Sequence, residues 1–351
     1  MTTKKNNENL LQEIFDFIWY KFFPDPKDKF TLEEYEKLFP TLPEFIEFKL
    51  PKRTPKEGIF ITLGETFKNK PITLDLKENP HSYIVGTTGS GKSVITKAIL
   101  TSLVTTYKPS ELEIYLADPK RVELNLFRNT IHCKKFVYEI QDITELIADL
   151  LAETNKRYDL FMKYEVTNIF EYNKLPEVTK LKYQVLYIEE IVMLLEDRKK
   201  NVMRLLKQLI AISRASGLYI FLTTQRPSND VIDNVVKANI NNRIALKCED
   251  SKNSIVALDS AGAENLRGNG HGIIKRGCNL EEFQGYFITD TRVKELIKPF
   301  IKPKSENKCV DNKLISKDTK TSHNPNKQAT DTKEEPSKNN KIIDLDFLKN
   351  I

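Results

Sequence analysis

The sequence predicts an α/β protein built on a mostly parallel sheet covered on both faces by helices. Three observations predict it. The stretch His81–Leu103 passes from a short apolar strand, Tyr83-Ile84-Val85, through Gly86-Thr87-Thr88-Gly89-Ser90-Gly91-Lys92-Ser93 into an apolar helix marked by Ile95, Ala98, Ile99 and Leu103. Apolar runs then alternate with helix-length segments through residues 113–224. The polar residues with evident chemistry close those runs at their C-terminal ends, where open α/β sheets bind ligands.

The loop within that first stretch has the P-loop pattern G-x-x-x-x-G-K-[ST], in the strand-loop-helix setting that gives the pattern its meaning. Gly86, Gly89 and Gly91 let the backbone bend so that its N–H groups point inward at phosphate oxygens. The following helix turns its positive N-terminus towards the same anion. Residues Gly86 to Ser93, with Thr87, Thr88 and Ser90 between the glycines, are thus the predicted nucleotide-binding set. Lys92 is expected at the β- and γ-phosphates and the Ser93 hydroxyl on Mg²⁺. The bland alternative is a glycine-rich turn that binds nothing, and the flanking strand and helix weigh against it.

Taken in order, residues 1–50 carry an aromatic-rich helical segment (Leu11, Ile14, Phe15, Ile18, Trp19, Phe22) and a second helical piece, Thr31–Phe39, with Thr31 as N-cap. This is read as a small helical N-terminal appendage that packs on the domain, or as a docking surface for a partner. Residues 51–301 hold the main domain. Ile59–Leu63 and Ile72–Leu76 form an expected hairpin turning at Lys68-Asn69-Lys70. Glu113–Asp118 is a strand ended by Pro119, and a long helix runs from about Ile143 to Tyr164. Gln184–Ile188 is a strand ending in Glu189-Glu190, a helix covers Val202–Ser213, and Leu218–Thr224 is a strand ending in Gln225. Residues 302–340 lose their large apolar side chains and are expected to be a disordered linker. A short apolar-acidic peptide, 341–351, closes the chain as a docking peptide or a terminal turn.

The composition sets bounds. Hydrophobic residues at 40% of 351 are ample for a core. A net charge of +6 permits a nucleic-acid partner without demanding one. The four cysteines include no C-x-x-C pair, which argues against a zinc site or disulfide framework and for a reduced, cytoplasmic setting. No stretch has the length of a membrane span; Leu10–Phe23 is interrupted by Gln12, Glu13, Asp16 and Lys21. No secretory signal is visible. The expectation is a soluble chain that meets a membrane only through a partner.

The strand ending in Glu189-Glu190 has the form of a Walker B motif. Its first carboxylate would support the Mg²⁺ shell through water, and its second would orient or deprotonate the attacking water. Two adjacent carboxylates after a strand can equally be solvated loop charges. Gln225 offers a polar side chain to the γ-phosphate. Arginines for transition-state charge must come from elsewhere, with Arg214 and Arg243 as candidates reaching a neighbour's site in trans.

From Gly58 to about Ile288 the chain resembles the motor domain of the FtsK/SpoIIIE family of DNA translocases. The resemblance is carried by Pro80–Ser93 (PHSYIVGTTGSGKS), Leu116–Phe127 (LADPKRVELNLF), Glu153–Asn173, Ile212–Leu246 (with TTQRPSND and NRIAL) and Asp259–Gly277 (DSAGAENLRGNGHGIIKRG). It implies a RecA-like ATPase using ATP and Mg²⁺, assembled as a hexameric ring that moves double-stranded DNA. It also implies a sensor position at Gln225 and makes Arg243 the first choice for the trans-acting arginine. The chain departs from the family at Glu189, where Asp is usual, and around Ser251–Ile255, which carries fewer basic residues. The family's membrane-spanning N-terminus and its C-terminal winged helix are missing. The expectation is therefore a short motor of a plasmid, integrative element or phage, akin to the coupling ATPases of conjugation, with a relaxase or replication partner recruited through the terminal segments. The alternatives are a motor that moves protein, as in type VII secretion, and a nucleotide-binding assembly switch.

Overall fold

Apolar runs without polar interruption are what strands buried on both faces require, because successive side chains enter opposite layers. The computed structural model describes residues 42–53, 57–197 and 201–303. The expected N-terminal helices, the linker and the C-terminal peptide lie outside the described residues.

Among the described residues eleven strands form one mixed sheet. They are β1 (Ile46–Glu47), β2 (Phe60–Glu65), β3 (Pro71–Asp75), β4 (His81–Val85), β5 (Leu112–Ala117), β6 (Cys133–Val137), β7 (Tyr183–Ile188), β8 (Leu218–Thr224), β9 (Asn242–Leu246), β10 (His271–Arg276) and β11 (Asn279–Phe287). The order is β3-β2-β11-β10-β9-β4-β8-β7-β5-β6, with β1 added alongside β11. From β9 to β6 every neighbouring pair is parallel. From β9 back to β3 every pair is antiparallel. The helices are α1 (Lys92–Thr106), α2 (Ile140–Lys163), α3 (Ile169–Tyr172), α4 (Asn201–Ile212), α5 (Asn234–Asn239), α6 (Ser251–Leu258) and α7 (Asp290–Ile297).

The expected parallel sheet is thus present, joined to an antiparallel wing that includes the expected hairpin. Asn69 turns that hairpin in the left-handed region (φ 54°), which asparagine tolerates better than most residues. Strand β1 lies within the segment assigned to the N-terminal appendage, yet it belongs to the sheet. Phe48 N–H donates to Phe287 O at 2.9 Å, and Phe45 lies 4.9 Å from the Phe287 ring.

Strand alternation sorts the core. Ile84, Ile114, Leu116 and Phe221 face α1, α7 and the hairpin in one layer. Tyr83, Val85, Leu186 and Ile188 face α2 and α4 in the other. Among the described residues no helix is long and apolar enough to cross a membrane.

Two buried polar groups tie the layers together, and each carries a stability prediction. The Arg157 guanidinium on α2 is buried and donates through Nη1 to Lys182 O (3.0 Å) and Ser216 O (2.7 Å), joining the approaches to β7 and β8. Arg157→Ala removes the donor from the buried Ser216 carbonyl and the half-buried Lys182 carbonyl, so unfolding free energy should fall by about 3 kcal/mol, read from urea midpoints.

The imidazole of His81, at the start of β4, is also buried. Its Nδ1 accepts from Ile220 N–H at 3.2 Å, so Nε2 carries the proton towards Ile210 O at 3.1 Å. Burial lowers its pKa to about 4. The folded state therefore binds fewer protons than the unfolded chain, whose histidine titrates near 6.5. Stability is full above that value and falls as pH drops from about 6.5 through 4, by about 2 kcal/mol at pH 5. Urea midpoints at pH 7.5 and 5 should show this extra loss in the parent and not in His81→Gln.

Candidate nucleotide site

The parallel strands β4, β8 and β7 are neighbours, and their C-terminal ends lie at one edge of the sheet: Val85 pairs with Thr224, and Leu222 with Ile188. The loop after β4, the Glu189-Glu190 pair after β7 and Gln225 after β8 are therefore brought together.

The P-loop is held from two sides. Gly86 N–H donates to Thr224 O (3.2 Å), and both the N–H and the hydroxyl of Thr87 donate to Lys247 O just past β9 (3.0 and 3.1 Å). On the other side Gly270 N–H donates to Ser90 O at 2.8 Å. Gly91 caps α1 with φ 98°, and a Cβ there would stand 2.4 Å from Gly270 N. Glycine is required at this position by conformation and by space. Thr88 and Gly89 are exposed at the mouth.

The loop suits an anion. The Ser90 hydroxyl is buried with no hydrogen-bond partner among the described residues, and α1 begins directly at Lys92 with no side-chain cap. Unpaired donors at a helix N-terminus are the setting that a phosphate satisfies.

Charge is arranged in two layers. Lys92 Nζ forms a buried ion pair with Glu189 Oε1. The other Glu189 oxygen accepts from Thr223 Oγ1 at 2.6 Å. Burial pushes the Glu189 carboxyl up, against the pull of Lys92 and Thr223. Glu190 differs. Its backbone occupies the left-handed region (φ 53°, ψ 58°), a costly conformation for a non-glycine residue and one that concentrates at functional sites. Its Oε2 accepts from Lys120 Nζ (2.7 Å), and its Oε1 accepts from Thr224 Oγ1 (2.7 Å) and Gln225 N–H (3.1 Å). Burial alone would raise this carboxyl, but Lys120, Thr224 and the Gln225 N–H outweigh burial and hold it below the usual range. Glu190 is a carboxylate at neutral pH, able to accept a proton or a water's hydrogen bond.

The Ser93 hydroxyl donates to Glu123 Oε1 at 2.6 Å. Among the described residues no three His, Cys, Asp or Glu side chains gather into a self-sufficient metal site. Mg²⁺ needs no such cluster, since it takes one or two protein oxygens and completes its shell with phosphates and water. Ser93, and Glu189 through water, are the donors that fit.

Not every expected residue is at this edge. Arg243 lies in the body of β9, paired with Tyr83 in register, and its Nη2 is 2.6 Å from Asp259 Oδ2. It is 9% exposed, and its Nη1 is buried without a hydrogen-bond partner among the described residues. Asp259 also meets Lys237 and Lys275, and these three cations hold its carboxyl far below the ordinary range. Arg214 is exposed after α4. The residues that sequence reasoning overlooked are Lys120, Glu123, Thr223, Thr224 and the Gly268–Gly270 turn. The run Asp118–Leu124, charged and proline-broken directly after a strand that ends at this edge, was the available signal for the first two.

A P-loop after one parallel strand, paired carboxylates after the next but one and a polar residue between them define a RecA-like P-loop nucleotide-binding protein. The model of the FtsK/SpoIIIE family matches residues 49–271. This chain belongs to the FtsK/SpoIIIE family. It is 32% identical over 279 residues to DNA translocase FtsK of Staphylococcus aureus (strain Mu50 / ATCC 700699), covering 76% of this chain and 35% of that protein. It is 33% identical over 272 residues to DNA translocase SpoIIIE of Bacillus subtilis (strain 168), covering 73% and 34%. The chain thus spans about a third of the length of these relatives. Among solved structures it is similar to the pCW3 conjugation coupling protein TcpA in its monomer form with ATPγS: TM-score 0.66, 27% identity, 74% of this chain and 75% of that one. The cytoplasmic domain of the Thermomonospora curvata type VII secretion ATPase EccC shares the fold, with TM-score 0.61, 19% identity, and 71% and 32% covered.

Proposed function

We propose that this chain is an ATP-hydrolysing DNA translocase motor, working as a homo-oligomeric ring, hexameric as the family resemblance implies, on plasmid, integrative-element or phage DNA in the manner of a conjugative coupling ATPase. The observation that carries the reading is the convergence of Lys92, Ser93, Glu189 and Glu190 at one sheet edge within a chain of this family. The likeness to TcpA along three quarters of both chains favours the coupling role.

In this reading the loop N–H groups and Lys92 hold the triphosphate, which must compete with Glu189 for the lysine. Mg²⁺, when bound, neutralises charge on the phosphates. Ser93, and Glu189 through water, would hold it in place. Glu190 orients the attacking water and takes up its proton, while Gln225, anchored to Glu190 through its backbone, faces the terminal phosphate. Arginine completes the charge balance from a neighbouring subunit: Arg214 is free to do so, whereas Arg243 must first leave Asp259. DNA contacts would be mainly to phosphates, tolerant of sequence and strongly dependent on salt. A partner such as a relaxase or replication protein would dock through the terminal segments. The membrane would be reached only through such a partner, from the cytoplasm.

The test is steady-state ATP hydrolysis at low salt, alone, with linear duplex and with single-stranded DNA. Stimulation by duplex supports the reading, and preference for single strands moves it towards conjugative strand transfer. Hydrolysis indifferent to DNA favours a protein-moving motor, for which the EccC likeness supplies the fold alone. Nucleotide binding without hydrolysis identifies an assembly switch.

A further inference from the structure

The loop between β5 and β6 holds a third carboxylate against the P-loop. Asp118, fully buried, pins it: its Oδ1 accepts from Arg121 N–H (2.9 Å) and its Oδ2 from Leu124 N–H (3.1 Å). Arg121 takes the left-handed conformation at φ 59°, and Leu124 is buried behind it. The outward side of this turn stacks the Arg121 guanidinium on the Tyr138 ring at 3.9 Å. Its inward side sends Lys120 to Glu190 and Glu123 to Ser93. One short, internally braced loop therefore touches both the carboxylate assigned to the water and the hydroxyl assigned to the metal.

Glu123 is costly where it stands if phosphate is the only visitor. It adds a negative charge beside a phosphate-binding loop whose lysine is already shared with Glu189, and it lies close enough to Glu189 to add to the upward push on that carboxyl. A carboxylate here repels a free triphosphate and is favourable only with a cation between them. The direction of the hydrogen bond is equally telling. Ser93 donates its one hydroxyl proton to Glu123, which leaves the oxygen lone pairs turned away from Glu123 and available to a metal. Outer partners of this kind fix ligand orientation and typically govern affinity by 10–100-fold, order-of-magnitude.

We propose that Glu123 is a positioning residue that orients the Ser93 hydroxyl for Mg²⁺ and makes nucleotide binding at this P-loop dependent on the divalent cation. The proposal rests on the nucleotide reading above. Its experiment is equilibrium binding of a fluorescent ATP analogue to the full chain, titrated with Mg²⁺ and repeated in EDTA, for the parent, Glu123→Gln and Glu123→Asp, with melting temperatures recorded alongside. In Glu123→Gln the Mg²⁺ concentration for half-maximal enhancement should rise about tenfold, with affinity in EDTA unchanged or tighter. Glu123→Asp, which keeps the charge, should recover part of the Mg²⁺ response. Equal Mg²⁺ dependence in all three proteins overturns the proposal. So does a parallel loss of binding in Mg²⁺ and EDTA with a lowered melting temperature, since that marks a structural role. Failure of the parent to bind nucleotide at all overturns the nucleotide reading itself, an outcome distinct from both.

Discussion

Lys92→Ala is expected to lower ATP turnover by at least about 10³-fold, because it removes the P-loop cation that meets the charge developing on the transferred phosphoryl group. The structure adds a second consequence. Lys92 is the buried counter-ion of Glu189, so its loss leaves a carboxylate enclosed with only the Thr223 hydroxyl as partner. Breaking such a pair costs about 3–5 kcal/mol unless the acid takes up a proton. Lys92→Ala should therefore melt below the parent at neutral pH and recover as pH falls and Glu189 is neutralised. Pairing it with Glu189→Gln should restore much of the melting temperature and none of the turnover. Recovery of turnover in the double variant would show that the lysine serves the fold and not the phosphates.

Glu190→Gln is expected to lower hydrolysis by about 10²–10⁴-fold while nucleotide affinity stays within a few-fold of the parent, since the change removes a proton acceptor and keeps the shape. The amide cannot reproduce all of the carboxylate's contacts. Lys120 loses its anion, and one acceptor position becomes a donor facing Thr224, Gln225 or Lys120. Single-turnover hydrolysis together with equilibrium binding separates the two effects. A drop in affinity equal to the drop in rate would assign Glu190 to holding the substrate instead of acting on water.

The parts of this architecture legible in the sequence are those where one physical requirement dominates. Strands β4, β5, β7 and β8 are apolar because both faces are covered, and the P-loop is legible because its glycines and lysine have few other uses in that order. Strand β6 escaped notice because its centre, Lys134-Lys135, lies at the sheet edge, where charge discourages further pairing. Strands β10 and β11 are interrupted by Gly272 and Gly285, positions where a Cβ would collide with Phe283 and Ile95. There close packing overrides strand propensity. The ion pair of Arg243 with Asp259 was not legible, because nothing in the local sequence announces a partner 16 residues on. The pairing of Lys120 with Glu190, 70 residues apart, was hidden for the same reason: adjacent loops share no periodicity.

The clamp on the P-loop has a consequence for how the chain comes to its fold. Ser90 is fastened by Gly270, Gly270 accepts from Gly285 N–H at 2.8 Å, and the edge of β2 away from β3 finds its neighbour in Gln284 and Gly285. During synthesis the nucleotide loop and its helix leave the ribosome nearly two hundred residues before the strand that completes their setting. Until then the edge of β2 is open and one apolar layer lacks Phe283, Val293 and Ile297. Pairings this distant in sequence are formed late and slowly. Truncation before Asn279, which removes β11, would therefore leave every residue of the P-loop in place and still yield a chain unable to hold it in shape.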